Sequence, residues 1–500
     1  MRTRRDGWAA VLFLAAAAAI LMICSMNSWL YPLNPWSDVN ILGTMGREML
    51  NGQVPYRDLF DHKGPLIYFL FGLCMNLMPG TYHGLFLLEV LCCAGAMFFG
   101  WKTARLYLPD LSPLWVVPLF ALLAGSDWFG AGASVEELLL FPMAWSLYDL
   151  LAAWRGGKPL TSGALLRNGV LAGCVLWTKF NLLSFHFVWM AAAAIDALVR
   201  ERKLWPTVKM CLIFLGGMAL ATLPWMVYFG ANGAIGDLID GYFASNLFEY
   251  GAEGGRSWLG NLAYWTLDAA RRAPVCFILL ALSMVSVLAV PRSLMAVREK
   301  AMLLCAAALL AASMFSRSMA MSYYATELGL FFPFALLPLK WLRRRGARSW
   351  PRWTAAAAAV LVLAGSTGAA YALCGFAGGI GTPYGQTAQA QIAEIIRDSG
   401  IEDPTLVQYR SMDTGVYYAS GARPAHRRYT GTNIQRDAYL AEIQQLIDGG
   451  VPDFVVTLLF DPEDIPELER YARVAVIPTD YGSGSGDVTY YCLYQRIEEV

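Results

Sequence analysis

The chain has 500 residues, of which 57% are hydrophobic and 15% charged, with a mean hydropathy of +0.44. This is too apolar for a water-soluble domain, and Ala/Leu/Phe/Trp runs recur from residue 8 to about residue 374, so a polytopic membrane protein is expected. A formal net charge of zero hides an asymmetry: no lysine follows Lys340, and from residue 376 onward 9 Arg face 18 Asp and Glu, an acidic surface that speaks against nucleic acid as a partner.

The chain starts MRTRRDGW and continues AAVLFLAAAAAILMIC. The basic start and Ala-rich core fit a signal peptide, but no small-x-small cleavage site precedes Asn27-Ser28-Trp29, so an uncleaved first span over about 8–27 is expected. Arg2, Arg4 and Arg5 place its start in the cytoplasm. The stretch 37–68, SDVNILGTMGREMLNGQVPYRDLFDHKGPLIY, is then extracytoplasmic. It gathers Asp38, Arg47, Glu48, Arg57, Asp58, Asp61, His62 and Lys63. Its first part reads as a helix with an apolar side, Val39, Ile41, Leu42, Met45, Met49 and Leu50. Spacing alone leaves two readings open, a site or an amphipathic helix lying on lipid.

Residues 64–79 end at Pro79-Gly80 and are short for a crossing. If they crossed, Lys102 and Arg105 would fall outside; laid at the outer interface, they leave every later basic cluster inside. The remaining spans are then expected at about 84–101, 113–125, 136–154, 167–178, 182–199, 206–229, 273–291, 300–315, 322–339 and 354–374, with an outer loop over 231–272. The expected fold is mainly α, with about eleven membrane helices, a cytoplasmic N-terminus and an extracytoplasmic tail.

Beyond a Gly-rich linker at 375–385 the pattern changes. Helices are expected at 388–399, 436–448 and 461–471, and strands at 405–409, 454–459, 474–477 and 488–494, a small α/β domain. The expected division is a membrane domain, 1–375, and a C-terminal domain, 376–500. No GxGxxG or P-loop is present, so no nucleotide is expected. Most of the ten cysteines lie in apolar runs, and no CxxC or Cys/His spacing appears, so neither a disulfide framework nor a zinc site is expected.

Asp38, the helix after it and the run GQVPYRDLFDHKGPLIY resemble the first outer loop of GT-C-type integral membrane glycosyltransferases, most nearly the bacterial branch related to protein O-mannosyltransferases and aminoarabinose transferases. In that family an acidic residue just after the first span sits at the catalytic centre, and a Lys-Pro-Pro-like turn faces the donor's lipid phosphate. Here the turn is Lys63-Gly64-Pro65, with glycine in place of one proline. The resemblance implies transfer of a hexosyl or pentosyl sugar from a polyprenyl-phosphate donor to an extracytoplasmic acceptor (cell-envelope glycan, lipid or protein) at the plasma membrane. A lipid-linked donor suits an outer site that no nucleotide sugar reaches.

On this reading Asp38 is the general base for the acceptor hydroxyl; the structural alternative is a cap of the following helix. Lys63 holds the donor phosphate as a point charge, or snorkels. Arg57 is a second phosphate ligand, or simply the partner of Asp58. Glu136 matches the acidic residue of the family's second outer loop and is the other catalytic candidate, whereas a capping box, Ser134-x-x-Glu137, accounts for Glu137. Lys179, in WTKFN, and Arg317 are further phosphate candidates. Tyr323 and Tyr324 stand where family members often show His-Tyr, with Ser322 in the histidine position; the alternative is an interfacial tyrosine belt. Asp61 and His62 complete the pocket candidates. No cofactor is expected; the alternative is a divalent metal on His62 and His186 with Asp38 or Asp61, against which stands the lack of ligand spacing. Asp127, Glu249 and Arg256 fall on the same outer side. The alternative function is a multi-helix lipid or solute transporter or flippase with an outer accessory domain. That predicts charges at mid-bilayer and weak symmetry between halves, neither of which the sequence shows.

Overall fold

The computed structural model describes residues 2–251, 254–342, 352–434, 436–481 and 488–497. The chain forms two compact units that interleave in sequence. One comprises Met1–Ser25, Leu87–Pro224 and Gly254–Gly375, and the other Met26–Phe86, Trp225–Glu253 and Phe376–Val500. Residues 26–86 and 376–500 therefore belong to the same unit.

The first unit is helical. Arg2–Cys24 packs on Arg352–Leu373 and Val116–Ala124, while Val297–Phe315 lies along Leu183–Glu201. Among the described residues five helices are long and apolar enough to cross a membrane: Arg5–Cys24, His83–Arg105, Phe180–Glu201, Leu204–Ala231 and Ala356–Leu373. Their outward side chains fit lipid; Leu212, Leu215, Leu220 and Leu223 of one helix are all exposed. The protein is a multi-pass membrane protein. Shorter apolar helices occupy Pro65–Leu77, Pro113–Ala124 and Ser162–Leu176. The basic cluster at 343–345 and 348, which the threading places inside, lies outside the described residues.

Two segments differ from the expected pattern. The span expected at 322–339 is a 3-10 helix, Ser322–Leu336, packed along Pro274–Ala289. At about 2.0 Å per residue its 15 residues reach roughly 30 Å, the thickness an α-helix needs about 20 residues to cover. The loop expected at 231–272 contains a helix, Trp258–Arg272, whose Ser257 accepts a cap hydrogen bond from the Gly260 N–H. It meets Pro274–Ala289 at a bend of 115°. Trp258, Leu259, Tyr264 and Leu267 are exposed on it, as on an interfacial helix.

In the second unit, Ser37–Leu50 packs against Pro65–Leu77. The contact needs glycine: a Cβ on Gly46 would lie 2.5 Å from the Gly72 amide nitrogen, and one on Gly72 would lie 2.5 Å from the Gly46 carbonyl oxygen. The tail holds strands β1 (Thr405–Gln408), β2 (Arg423–Pro424), β3 (Phe454–Leu459), β4 (Tyr471–Thr479) and β5 (Thr489–Arg496). Their order is β2-β1-β3-β5-β4, parallel at β2-β1-β3 and antiparallel at β3-β5-β4. Tyr439, Ile443 and Ile447 of the Arg436–Asp448 helix form a core with Val407, Val455 and Tyr494 of the sheet. The helix expected at 461–471 is a single 3-10 turn, Pro462–Asp464. Pro466 explains this: it disfavours helical backbone at Ile465 and has no N–H to continue the ladder. A short helix, Val416–Ser420, and β2 lie where the pattern gave no element.

Candidate functional site

Asp38 lies in the first turn of Ser37–Leu50, half-buried. The N-cap position of that helix is Trp36, whose side chain makes no cap bond, and Asp38 stands inside the first turn. Asp38 lines a small cleft, partly open to solvent. Ile41 and Leu42 of the same helix, Asp61, His62 and Lys63 of the loop, and Met412, Thr432 and Asn433 of the tail line it too.

The loop that carries Lys63 is held by a network of hydrogen bonds. Asp58 closes the turn before it, its Oδ2 accepting from the Val54 N–H at 2.7 Å. Tyr56 is fully buried, with its backbone in the left-handed region at φ 69°. Such a conformation costs a non-glycine residue on the order of 1–3 kcal/mol and persists only where the surroundings impose it. Here they do: its ring sits among Tyr68, Phe229 and Tyr242, and its hydroxyl donates to the Lys63 carbonyl at 2.6 Å. The adjacent His62 carbonyl accepts from Asn246 Nδ2 at 2.6 Å. Asn246 lies in the π-helix Ile239–Glu249, a rare conformation that concentrates at functional sites. The Lys63 N–H donates to the Tyr68 hydroxyl at 2.9 Å, and that hydroxyl donates to Asp61 Oδ2 at 2.8 Å. Lys63 Nζ lies 3.2 Å from His62 Nε2.

Asp61 is buried. Burial works to raise its pKa, but the charges of His62 and Lys63 and the bonds from His62 and Tyr68 hold it below the ordinary carboxylate value. Asp61 is thus a buried anion beside the cationic Lys63. Asp413, also buried, goes the other way: burial outweighs its hydrogen bonds from Gly415 and Thr44 and raises its pKa.

The remaining candidates are placed as follows. Arg57 is exposed; its guanidinium bonds Asp58 at 2.9 Å and the Asn232 carbonyl at 2.9 Å. Glu136, in the other unit, is buried and ion-paired with Lys179. Lys179 Nζ also sits 3.6 Å from the centre of the Tyr324 ring, a cation–π contact. Tyr323 meets Tyr324 edge to face at 5.0 Å, and the Arg317 carbonyl accepts from Trp265 Nε1 at 3.1 Å. Ser134 caps its helix by accepting from the Glu137 N–H at 3.0 Å, the expected N-cap half of a capping box. The Glu137 carboxylate itself accepts from Cys93 Sγ at 3.4 Å. His186 bonds Ser146 at 3.1 Å. Among the described residues no three His, Cys, Asp or Glu side chains cluster to hold a metal.

Sequence reasoning did not find Tyr56, Asn246, Met412, Thr432 or Asn433. The GTN run at 431–433 is only a turn-like tripeptide, and nothing local links it to Asp38.

No protein-family model matches the chain, and no curated protein matches it. Among solved structures it is similar to ArnT from Cupriavidus metallidurans bound to undecaprenyl phosphate, at 14% identity and TM-score 0.61, covering 97% of this chain and 98% of that one. The apo state of ArnT matches over the same shares at 15% identity and TM-score 0.61. ArnT is a GT-C-type aminoarabinose transferase. The resemblance read from residues 37–68 is met at the level of fold, over nearly the whole of both chains.

Proposed function

We propose that this chain, which shares the fold of ArnT, is an integral membrane glycosyltransferase that moves a sugar from a polyprenyl-phosphate donor to an acceptor at the outer face of the cell membrane. The observation that carries this reading is the cleft: a carboxylate, Asp38, and an ammonium, Lys63, line one cavity. ArnT was captured with undecaprenyl phosphate, which supports a lipid phosphate as the leaving group here. The transporter reading is not favoured by this fold.

Asp38 takes the proton of the acceptor hydroxyl as its oxygen attacks the anomeric carbon. The bond from that carbon to the phosphate oxygen breaks, and the electron pair leaves with the lipid phosphate. Lys63, fixed through its backbone, stabilises the charge that develops there, the kind of preorganised stabilisation that carries much of an enzyme's rate. The phosphate is assigned to Lys63, which lines the cleft together with Asp38. Glu136 is assigned to holding Lys179. The basic clusters support a cytoplasmic N-terminus, with the Asp38 loop and the tail, 376–500, outside. The tail then works as the partner of the first outer loop.

The test is Asp38→Asn in nanodiscs, assayed for transfer from undecaprenyl-phosphate-linked hexoses and pentoses. Transfer should fall about 10²–10⁴-fold, with thermal stability and undecaprenyl phosphate binding preserved. Wild-type turnover by the variant would remove Asp38 from the base role. A wild type that neither binds nor turns over any of these lipids would overturn the transferase reading itself.

A further inference from the structure

The part of the tail between β1 and the Arg436–Asp448 helix has no strong period, yet it is heavily anchored. Asp413 Oδ2 accepts from the Thr44 hydroxyl at 3.2 Å, and Oδ1 accepts from the Gly415 N–H at 2.9 Å. Arg47 donates to the Tyr417 carbonyl at 3.0 Å and to the Ala422 carbonyl at 2.8 Å. The Tyr429 hydroxyl donates to the Ile41 carbonyl at 3.3 Å. The Phe60 N–H donates to the Arg427 carbonyl at 2.9 Å. Thr44, Arg47 and Ile41 belong to the Asp38 helix, and Phe60 directly precedes Asp61. The segment is therefore fixed against both pieces of chain that carry the proposed chemistry. Buried and charge-assisted bonds of this sort define one geometry rather than many.

That geometry brings Met412, Thr432 and Asn433 to the cleft. During transfer the anomeric carbon lies between the acceptor oxygen at Asp38 and the phosphate at Lys63. The rest of the sugar ring must then occupy the space bounded by the remaining wall. Asn433 offers two donors and an acceptor, the complement of a ring hydroxyl, which is itself donor and acceptor. Met412 offers an apolar, adaptable surface for the C–H face of the ring. Thr432 donates to the Ile434 carbonyl at 2.9 Å, which holds the turn that presents Asn433.

We infer that tail residues 411–434 form the sugar-reading wall of the cleft, with Asn433 as a specificity-determining side chain for a single hydroxyl-bearing monosaccharide on the donor. This rests on the transferase reading. The tail is then part of the substrate site and not an accessory to it.

The experiment uses the full chain in nanodiscs, with undecaprenyl phosphate and undecaprenyl-phosphate-linked hexoses and pentoses as separate probes. Asn433→Ala should leave the affinity for sugar-free undecaprenyl phosphate unchanged. It should weaken the preferred sugar-linked donor about three- to tenfold, the worth of one neutral hydrogen bond, and compress the ratio between sugars. Asn433→Asp, which keeps the size and the acceptor but loses the donors, should shift that ratio rather than abolish binding. An unchanged sugar ratio in both variants overturns the inference while leaving the transferase reading standing, as does an equal loss of affinity for the sugar-free lipid. A wild type that binds undecaprenyl phosphate yet neither distinguishes nor transfers any linked sugar overturns both.

Discussion

Lys63 and Lys179 are the same residue type, both read from sequence as phosphate ligands, in opposite settings. Lys63 lines a cleft beside His62, on a turn whose backbone is held by Tyr56, Tyr68 and Asn246. Its charge also helps to keep the buried Asp61 ionised. Lys179 is ion-paired to buried Glu136 and covered by the Tyr324 ring, with a side chain 12% exposed. Its charge neutralises a carboxylate that burial would otherwise penalise. An ammonium next to a cavity is a binding group; one locked on a buried anion is a condition of folding.

This contrast can be broken most sharply at Lys179. Lys179→Met leaves Glu136 buried and uncompensated, and should destabilise the protein by about 3–5 kcal/mol. Adding Glu136→Gln should restore most of the loss, as read by thermal unfolding in detergent. A single variant as stable as wild type but weak in donor binding would put Lys179 alongside Lys63 and dissolve the distinction. Lys63→Met comes next: the protein still folds, with a smaller loss of stability because His62 and Tyr68 also hold Asp61, and donor affinity falls roughly tenfold or more, from an ionic hydrogen bond worth about 1.5–3 kcal/mol. Lys63→Arg should recover part of this, since the charge stays and the geometry changes. Titration calorimetry with undecaprenyl phosphate decides it, and equal affinity in all three proteins would return the phosphate to Arg317 or Lys179.

The same contrast exists between two buried carboxylates of one unit, and pH separates them. Asp61 has a lowered pKa in the folded state, so its contribution is present above its unfolded pKa and lost as pH falls through the folded value. Asp61→Asn should therefore be destabilised at neutral pH, with the gap closing on acidification. Asp413 has a raised pKa, so its contribution is present below its unfolded pKa and lost as pH rises through the folded value. Asp413→Asn, which keeps an acceptor for Thr44, should gain on wild type as pH rises from the acid range. Melting curves across that range report both, and gaps of the same sign would show that the two sites do not differ as described. The smallest effect is expected at Arg57, exposed and paired with Asp58. Arg57→Gln should leave donor affinity and turnover unchanged within error, and a clear loss would bring Arg57 into the phosphate site.

Much of this was legible in the amino-acid order. Apolar run lengths marked a multi-pass membrane protein, because the bilayer imposes its own thickness on the chain. In the tail, the helices Ala388–Asp398 and Arg436–Asp448 and the strands Thr405–Gln408 and Phe454–Leu459 follow their periodicity, a local property. The helix expected at 461–471 failed because Pro466 outweighed the pattern. Asp38, Asp61, His62 and Lys63 could be proposed together because they lie within 26 residues of one another. The tertiary structure alone decided which cations face a cavity and which are locked on carboxylates, since Glu136 meets Lys179 across 43 residues. It alone placed Asn433 beside Asp38. Those two are joined by contacts such as Thr44 with Asp413, 369 residues apart, and no local spacing encodes a pairing over that distance. Local order follows from backbone period and bilayer thickness; the making of a site follows from which distant surfaces bury one another.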